Sequence, residues 1–522
     1  MRSAFLTVTC LLVLGLGAFL GTGRQDESVP VRLRLVDAET GKNVGGIVRV
    51  FRGADREPLA LAGLYDRLRG LKRPSTVSGW YVLPAAGAEV RLPRGELRLE
   101  ALSGLETALT RQPLDLTGKA PVEAAVKVRF LFRPDQEGLA AGNTHLHLRN
   151  LTRADCDEYL RQIPAADGLK VMFISYLERH KDDETYITNR YPVGDLKQFA
   201  ATGVLFNNGE EHRHNFQAFG QGYGHVMFLN IKELVQPVSL GPGITSAGND
   251  DRPLRPGIED ARRQGGTVIW CHNTNGYEDV PSALAGKLDA LNVFDGSRTG
   301  TFEDNYYRYL NIGLRMPIST GTDWFLYDFS RVYARVQGPL TVKSWLEAVR
   351  AGRCVATNGP LLSLTVDGKG LGEVINLDRP RTVRIEARAV GRHDFQKLQL
   401  IQNGRVIHTE KAEGKGGGFS ARLRREVRVD GPCWFAVRID SQHQNEFDAA
   451  LYAHSSPVYV DFAGKRVFDV EAARGLLQQV EEGMADIRAR GTFSNDAARD
   501  RVLALYEEAA KDLIARINQR SP

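Results

Sequence analysis

The chain has 522 residues, 42% hydrophobic and 25% charged, a composition typical of soluble globular proteins with about two to four domains. Its 68 Lys and Arg against 63 Asp and Glu leave a formal net charge of +5, which is small for this length. This balance gives no reason to expect nucleic acid or an anionic membrane surface as a partner.

Residues 1–23 have the layout of a secretory signal peptide. Met1-Arg2 precedes the apolar run SAFLTVTCLLVLGLGAFLG, and small residues follow near Gly21–Gly23. An uncleaved membrane anchor is the alternative, because the run is about long enough to span a bilayer. Both alternatives predict an exported protein, periplasmic or secreted, with no other membrane contact. The expected partner is a small-molecule or extracellular substrate.

Residues 29–135 alternate apolar and polar residues in short runs, such as VRLRLVDAETGK and EVRLPRGELRLEAL, which Gly and Pro separate. This period-two alternation predicts an N-terminal β-sandwich. A short helix is expected over Tyr65–Leu71. Because no reactive spacing occurs in this segment, it is interpreted as an accessory domain.

Residues 139–360 alternate apolar strands with helical stretches. Strands are predicted at 169–176, 202–210, 224–231, 266–273, 290–296 and 317–323, and helices at Asp155–Ile163, Gly257–Gln264 and Val342–Ala351. This order predicts an α/β domain with a mostly parallel sheet or a barrel. In such folds the chemistry lies at the carboxyl ends of the strands.

Residues 361–463 return to period-two alternation and predict a second β-sandwich, and residues 466–520 predict two helices that pack on the body. Four cysteines follow the signal segment without any C-x-x-C spacing, which excludes a disulfide scaffold and a zinc ribbon. One or two disulfides stay open in an oxidising compartment, among Cys156, Cys271, Cys354 and Cys433.

Seven of the 11 histidines lie between residues 145 and 272, all within the α/β segment. In GNTHLHL, His145 and His147 are two residues apart in an extended segment, so their rings point to one side. His225 precedes an apolar strand in YGHV, His272 ends one in VIWCHN, and Asp323 follows one in STGTDWF. Each has an ordinary structural alternative, as an exposed pair, a core histidine or a turn residue.

The stretch NNGEEHRHNF, residues 207–216, is either a surface loop or part of a metal site. If a strand continues through it, Glu210 and Glu211 face opposite ways, and only one of them can be a ligand. Histidine plus carboxylate is the ligand set for zinc, manganese or iron, and one shared carboxylate could bridge two ions about 3.5–4 Å apart. Cys271 is expected to point away from His272 and to pack in the core.

The order HLH, a Glu after a strand, GHV, CHN and GTD resembles the PHP superfamily (polymerase and histidinol phosphatase domains). The wording of GEEHRHNF, QGYGHVMFLNIKELVQPVS, STGTDWF and RCVATNGPLLSLTVDG is similar to the CehA/McbA-like metallohydrolases within it. The resemblance covers roughly residues 140–370. It implies a central α/β PHP-type domain, a distorted β/α barrel, between two β-sandwich domains and followed by the helical tail.

Position by position, the resemblance implies two divalent ions, zinc, manganese or iron. The first ion would be held by His145, His147 and Asp323, the second by His225 and His272, with Glu211 bridging them. The superfamily's last motif is commonly G-x-D-x-H. Phe325 stands at that histidine position and offers no ligand for a third ion.

Four further residues are candidates for catalysis. His180 could act as a general acid or contact substrate, or be an exposed loop histidine. His212 and His214 could bind substrate or orient Glu211. The resemblance also brings Arg331, together with Asn358, near the pocket.

The resemblance implies an exported metal-dependent hydrolase whose metal-activated water cleaves a carbamate, amide, ester or phosphoester bond. The alternative is an exported glycan- or ligand-binding protein with a non-catalytic metal domain. Phe325 keeps this alternative open, whereas the six remaining ligand positions favour the hydrolase.

Overall fold

The computed structural model describes residues 28–118, 123–179, 186–216, 222–245, 248–272, 276–296 and 300–520. The predicted signal segment and His180 lie outside the described residues. Within these ranges, no helix has both the length and the apolarity needed to cross a membrane.

The N-terminal region is built from two antiparallel-rich sheets. Its strands are β1 (Ser28–Asp37), β2 (Asn43–Val44), β3 (Gly46–Arg52), β4 (Tyr65–Asp66), β5 (Tyr81–Leu83), β6 (Ala88–Pro93), β7 (Glu96–Leu102), β8 (Thr110–Asp115) and β9 (Glu123–Val128). One sheet has the order β2-β1-β6 with β9 on β1, and the other β4-β5-β3-β7-β8. The two share an apolar core because alternate residues of β1 and β3 point inward.

The helix expected over Tyr65–Leu71 is wrong. Tyr65 and Asp66 instead pair with Val82 and Tyr81 of β5. Gly63 and Gly70, which bracket this segment, have φ angles of 91° and 88°, a left-handed conformation that interrupts a helix. Cross-strand pairing therefore overrides the local helical pattern.

The central region alternates strands and helices, as the sequence predicts. The elements are β10 (Leu139–Asn143), β11 (Leu146–His147), α1 (Arg153–Ala166), β12 (Val171–Tyr176), β13 (Gly194–Asp195), β14 (Leu205–His214), β15 (Gly224–Leu229), β16 (Ser239–Leu240), α2 (Arg255–Arg263), β17 (Thr267–Trp270), α3 (Asp279–Leu284), β18 (Ala290–Asn292), α4 (Arg308–Asn311), β19 (Ile318–Ser319), β20 (Asp323–Trp324), β21 (Arg331–Arg335) and α5 (Val342–Arg350).

The central strands follow the order β10-β12-β14-β15-β17-β18-β19. At the two ends of this series, β11 pairs in parallel with β20, so the segments after β10 and β19 are hydrogen-bonded to each other. The sheet is less parallel than expected, since β15 runs antiparallel to both β14 and β17. Only nine residues connect β14 to β15, fewer than the dozen or so that a parallel crossover needs.

The C-terminal region contains β22 (Cys354–Thr357), β23 (Leu361–Val366), β24 (Val374–Leu377), β25 (Arg381–Gly391), β26 (Lys397–Gln402), β27 (Arg405–Lys411), β28 (Glu413–Lys415), β29 (Gly418–Val429), β30 (Cys433–Asp440), β31 (Ala453–Ser455) and β32 (Val458–Phe462). A sheet of order β23-β25-β29-β28 packs through an apolar core on β26, β30 and β32. The ladder β10-β21-β22-β31 runs across the predicted boundary at residue 360, so hydrogen bonding joins the two regions.

Two helices, α6 (Val470–Arg490) and α7 (Asp496–Asn518), form the predicted tail. Asp469 and Asn495 cap their N-termini by accepting backbone N–H bonds. Their apolar faces join the core that also contains residues of α3 and α4. The tail is thus packed on the central region.

Two buried arginines join the regions. Arg67 of the N-terminal region donates to Asp167, Leu326 and Asp328 of the central region. Arg392 of the C-terminal region donates to three N-terminal carbonyls and pairs with Glu446. Because these guanidinium groups are buried and fully engaged, the three regions are fixed around the central strands.

The four described cysteines are free thiols. All are buried in the core, and none is paired with another: Cys156, Cys271, Cys354 and Cys433.

Candidate metal centre

The six residues expected to bind metal come together beside the ends of the central strands. The ligand atoms of His145, His147, Glu211 and Asp323 lie within 4.8 Å of one another, and so do those of Glu211, His225 and His272. His145, His147 and Glu211 are almost fully buried, and the other three are only slightly exposed. A buried cluster of imidazoles and carboxylates could hold a metal ion.

Glu211 is the residue that the two groups share. Its Oε2 lies 2.9 Å from His147 Nε2 and 3.8 Å from His145 Nε2. Its Oε1 lies 2.9 Å from His225 Nδ1 and 3.3 Å from His272 Nε2. One carboxylate therefore directs a different oxygen to each pair of histidines.

The outer nitrogen of each histidine donates to a protein acceptor. His145 Nδ1 donates to Asp295 Oδ2 at 2.7 Å, and His147 Nδ1 to the Ser175 carbonyl at 3.0 Å. His272 Nδ1 donates to the Asp295 carbonyl at 3.2 Å, and His225 Nε2 to Asn215 Oδ1 at 3.0 Å. These bonds turn the remaining nitrogens, with their lone pairs in the neutral ring, toward Glu211, which is the orientation that metal-binding histidines need.

The buried groups of the cluster have pKa values that differ from their ordinary values. Burial alone would raise the pKa of Glu211, but the four imidazoles around it hold its pKa well below the usual range. Burial lowers the pKa of His225 to about 4. Burial also opposes the charged form of His272, but the bond to Glu211 and nearby carboxylates raise its pKa to about 9. The cluster thus contains carboxylates that require positive charge, which fits a cation site.

The backbone at this end of the strands is in an uncommon conformation. His272, Phe294, Asp323 and Phe325 have φ angles of 55°, 56°, 57° and 55°, which non-glycine residues seldom adopt. Gly321 fits here because a Cβ would lie 2.4 Å from His145 Cβ. Left-handed residues at three strand ends are typical of a functional site where side chains must be aimed.

The prediction that Cys271 points away from the histidines is wrong. Its sulfur lies within 4.8 Å of ligand atoms of His145 and His272. Strand β17 ends at Trp270, and the left-handed His272 breaks the alternation on which the prediction depended. Burial raises the pKa of the Cys271 thiol, so its uncharged form is favoured and it is a poor ligand.

His212 and His214 lie on the opposite face of β14 from Glu211. His212 Nδ1 is 3.0 Å from Glu210 Oε1, and its ring stacks on Phe228. His214 Nε2 donates to Asp250 Oδ1 at 2.8 Å, while its Nδ1 accepts the Tyr223 N–H. Strand β14 extends through His214, so alternation separates both histidines from the face that carries Glu211, contrary to the expected role at the substrate or beside Glu211.

Arg331 and Asn358 have structural contacts. Arg331 Nη1 donates to the Asp167 carbonyl at 2.8 Å and to Glu106 at 3.3 Å, joining the N-terminal and central regions. Asn358 bonds Asp328 and the Tyr452 N–H. None of the hydrogen bonds described for these two residues reaches the cluster, so these contacts give no support to the catalytic role expected of Arg331.

Phe325 is turned away from the cluster, although it follows Asp323 by only two residues. Its ring is buried and packs edge-on against Tyr159, 5.9 Å between centroids. A Cβ on Gly70 would lie 2.5 Å from the same ring. Trp324 instead lies beside the cluster, with its ring 5.3 Å from that of His147.

Two residues of the site were missed by the sequence reasoning. Asp295 follows β18 and orients both His145 and His272. Arg213 lies two residues after Glu211 on the same face of β14, with Nη1 4.0 Å from Glu211 Oε2. Strand alternation could have indicated Arg213, and the polar end of the predicted strand at 290–296 could have indicated Asp295.

A groove of about 480 Å³ adjoins the cluster. It is lined by residues of all three regions, among them Arg73, Gly296, Trp324, Tyr327 and Gln444. A Cβ on Gly296 would lie 2.7 Å from Asp323 Oδ2, so this wall of the groove is next to a carboxylate of the cluster. A second cavity, of about 970 Å³, lies between the N-terminal and central regions, and its lining includes none of the cluster.

Comparison of the chain with protein-family models, with curated proteins and with solved structures finds no match. The resemblance to PHP metallohydrolases therefore stays a prediction carried by the motifs.

Proposed function

We propose that the protein is a metal-dependent hydrolase with a two-ion centre of zinc, manganese or iron. The observation that carries the proposal is the geometry of Glu211, whose two oxygens face two different pairs of histidines. A carboxylate shared in this way is the bridging ligand of two-ion hydrolase sites. The order of motifs that resembles the PHP superfamily supports the same function.

The donor set fits such ions. His145, His147 and Asp323 would hold one ion, and His225 and His272 the other, with Glu211 between them. Imidazole and carboxylate donors suit zinc, manganese and iron, and Cys271 is disfavoured as a thiolate. When bound, the ions would lower the pKa of water to about 7 and supply a hydroxide nucleophile.

Neighbouring residues hold the rings of the candidate ligand histidines in position. Asp295 holds the rings of His145 and His272, and Asn215 holds that of His225. The side chains of Asp323, His225 and His272 are 11%, 16% and 10% exposed, whereas those of His145 and His147 are fully buried. Substrate would therefore approach from the side of Asp323, His225 and His272, the three partly exposed candidate ligands.

Metal analysis and a hydrolase panel test this function. Purified protein is loaded with zinc, manganese or iron, washed, and analysed for bound metal. It is then assayed on aryl phosphate, phosphodiester, acetate and carbamate substrates. The proposal expects close to two ions per chain and turnover of at least one substrate class that chelator abolishes. Fewer than one ion per chain would contradict it.

An exported glycan- or ligand-binding protein is the alternative. Two bound ions without turnover on any substrate of the panel would favour it. Export itself is proposed from residues 1–23, and fractionation of the expressing cells tests it.

A further inference from the structure

Arg213 is placed where it can act on a ligand of the centre. Strand β14 alternates its side chains, so Arg213 shares the face of Glu211 and lies two residues nearer the carboxyl end of the strand. In the antiparallel pairing of β14 with β15, Arg213 is directly opposite His225. Arg213 therefore lies next to both Glu211 and His225.

The Arg213 guanidinium is buried, but not all of its N–H groups have a hydrogen-bond acceptor. Its side chain is 4% exposed, and Nη2 donates to the Glu178 carbonyl at 2.8 Å. Nη1 lies 4.0 Å from Glu211 Oε2, at the limit of an ion pair, and the buried Nε has no hydrogen-bond partner. A buried donor without an acceptor is costly, and guanidinium groups are suited to binding oxyanions.

We infer that Arg213 binds a negatively charged oxygen of the substrate beside the two ions. The inference rests on the proposed function and narrows its substrate class to compounds that carry an oxyanion at or next to the scissile bond, such as phosphoesters. Pairing with Glu211 is a weaker explanation, because Arg213 Nη1 is 4.0 Å from that carboxylate, whereas His147 and His225 approach it to 2.9 Å. A cation this close to two divalent ions would be repelled by them, and a bound anion in addition to Glu211 would offset that repulsion.

Binding of inorganic phosphate to the metal-loaded protein tests the inference. Wild-type protein is compared with R213M, which removes the charge, and R213K, which keeps the charge but loses the planar fork. R161M is the matched control, since Arg161 is an exposed arginine on α1 of the same region. Bound metal and the phosphate dissociation constant, from calorimetry, are measured for each protein.

The inference expects wild type and R161M to bind phosphate alike. R213M should keep two ions and weaken phosphate binding by at least about tenfold, and R213K by a smaller factor. Equal phosphate affinity in wild type and a metal-loaded R213M would overturn the inference, as would a wild-type protein that holds two ions but does not bind phosphate.

If R213M fails to fold or to hold metal, R213K is the deciding variant. R213K that retains metal and binds phosphate as tightly as wild type contradicts the inference. R213K that retains metal and binds phosphate more weakly supports it. Absence of bound metal in wild type contradicts the proposed function first and this inference with it. Metal content therefore separates failure of the function from failure of the role of Arg213.

Discussion

The two faces of β14 carry adjacent glutamates in opposite electrostatic states. Four imidazoles surround Glu211 and hold its pKa well below the ordinary value despite burial. Glu210 is buried on the other face, where burial raises its pKa well above the ordinary value, and it accepts the Val235 N–H and lies 3.0 Å from His212 Nδ1. The environment thus favours the ionised form of glutamate on one face and the neutral form on the other.

The two faces of β14 therefore have different contacts, one with the candidate metal site and the other with the surrounding fold. The Glu211 face carries the candidate ligands, whereas the other face fixes β14 to its neighbours through His212 and His214. His214 reaches Asp250, which also accepts the Thr492 N–H between α6 and α7. Changes on the first face should therefore alter metal binding, and changes on the second should alter stability.

The largest effect is expected for E211Q. Gln keeps the size of Glu but removes the charge and one strong donor oxygen from the shared position, so both ions should be weakened. Bound metal should fall from two ions to fewer than one, and hydrolysis by at least about 100-fold. E210Q is the matched control on the opposite face and should keep both ions. Equal metal content in the two variants would remove the distinction between the faces.

A smaller loss is expected for D295N. Asn cannot accept the His145 Nδ1–H with a charged oxygen, so the ring is less firmly oriented and less basic. Metal affinity, measured by competition with a chelator, should fall about 10- to 100-fold while the fold is kept. Unchanged affinity would mean that Asp295 does not orient the ligand.

On the opposite face, D250N should lower stability without loss of metal. The bonds from His214 Nε2 and the Thr492 N–H lose their charged acceptor, which costs about 1–3 kcal/mol. The melting temperature should fall by about 1 °C per kcal/mol, since the entropy of unfolding is about 2.1 cal/mol/K per residue and the chain has 522 residues. D251N is the control, because Asp251 bonds the nearby Ser494 N–H at a more exposed position. A drop in metal content of D250N would contradict the separation of the two faces.

The smallest effect is expected for E210Q, which should remove a pH dependence of the melting temperature. The folded pKa of Glu210 lies above its ordinary value of 4.5, so its neutral form stabilises the fold. That stability is fully present below pH 4.5 and is lost as pH rises through the folded pKa. Gln imitates the neutral acid, so E210Q and wild type should melt alike near pH 4 and E210Q should melt higher at alkaline pH. An identical pH profile would show that Glu210 is not held neutral.

Periodicity was sufficient to predict the order of regions and most helices. The helices over Arg153–Ala166, Arg255–Arg263 and Val342–Arg350 lie within a few residues of their predicted bounds. The opposed directions of Glu210 and Glu211 also followed from alternation. Tyr65–Leu71 was mispredicted because pairing with β5, a tertiary contact, decides its conformation.

The orientation of the site could not be predicted where the backbone leaves the regular strand. His272 and Asp323 are left-handed, and this reversal brings Cys271 inward and turns Phe325 outward. Asp295 orients His145 through a hydrogen bond between residues 150 positions apart in the sequence, and no local sequence pattern indicates that contact. His212 and His214 were assigned to the site by proximity in sequence, whereas alternation places them on the other face.

The central claim is that Glu211 lies between two metal ions, and anomalous diffraction from crystals of metal-loaded protein tests it most directly. The account predicts two peaks about 3.5–4 Å apart, one near Glu211 Oε2, His145 and His147, and one near Oε1, His225 and His272. A single peak, or peaks on the side of Glu210 and His212, would contradict it.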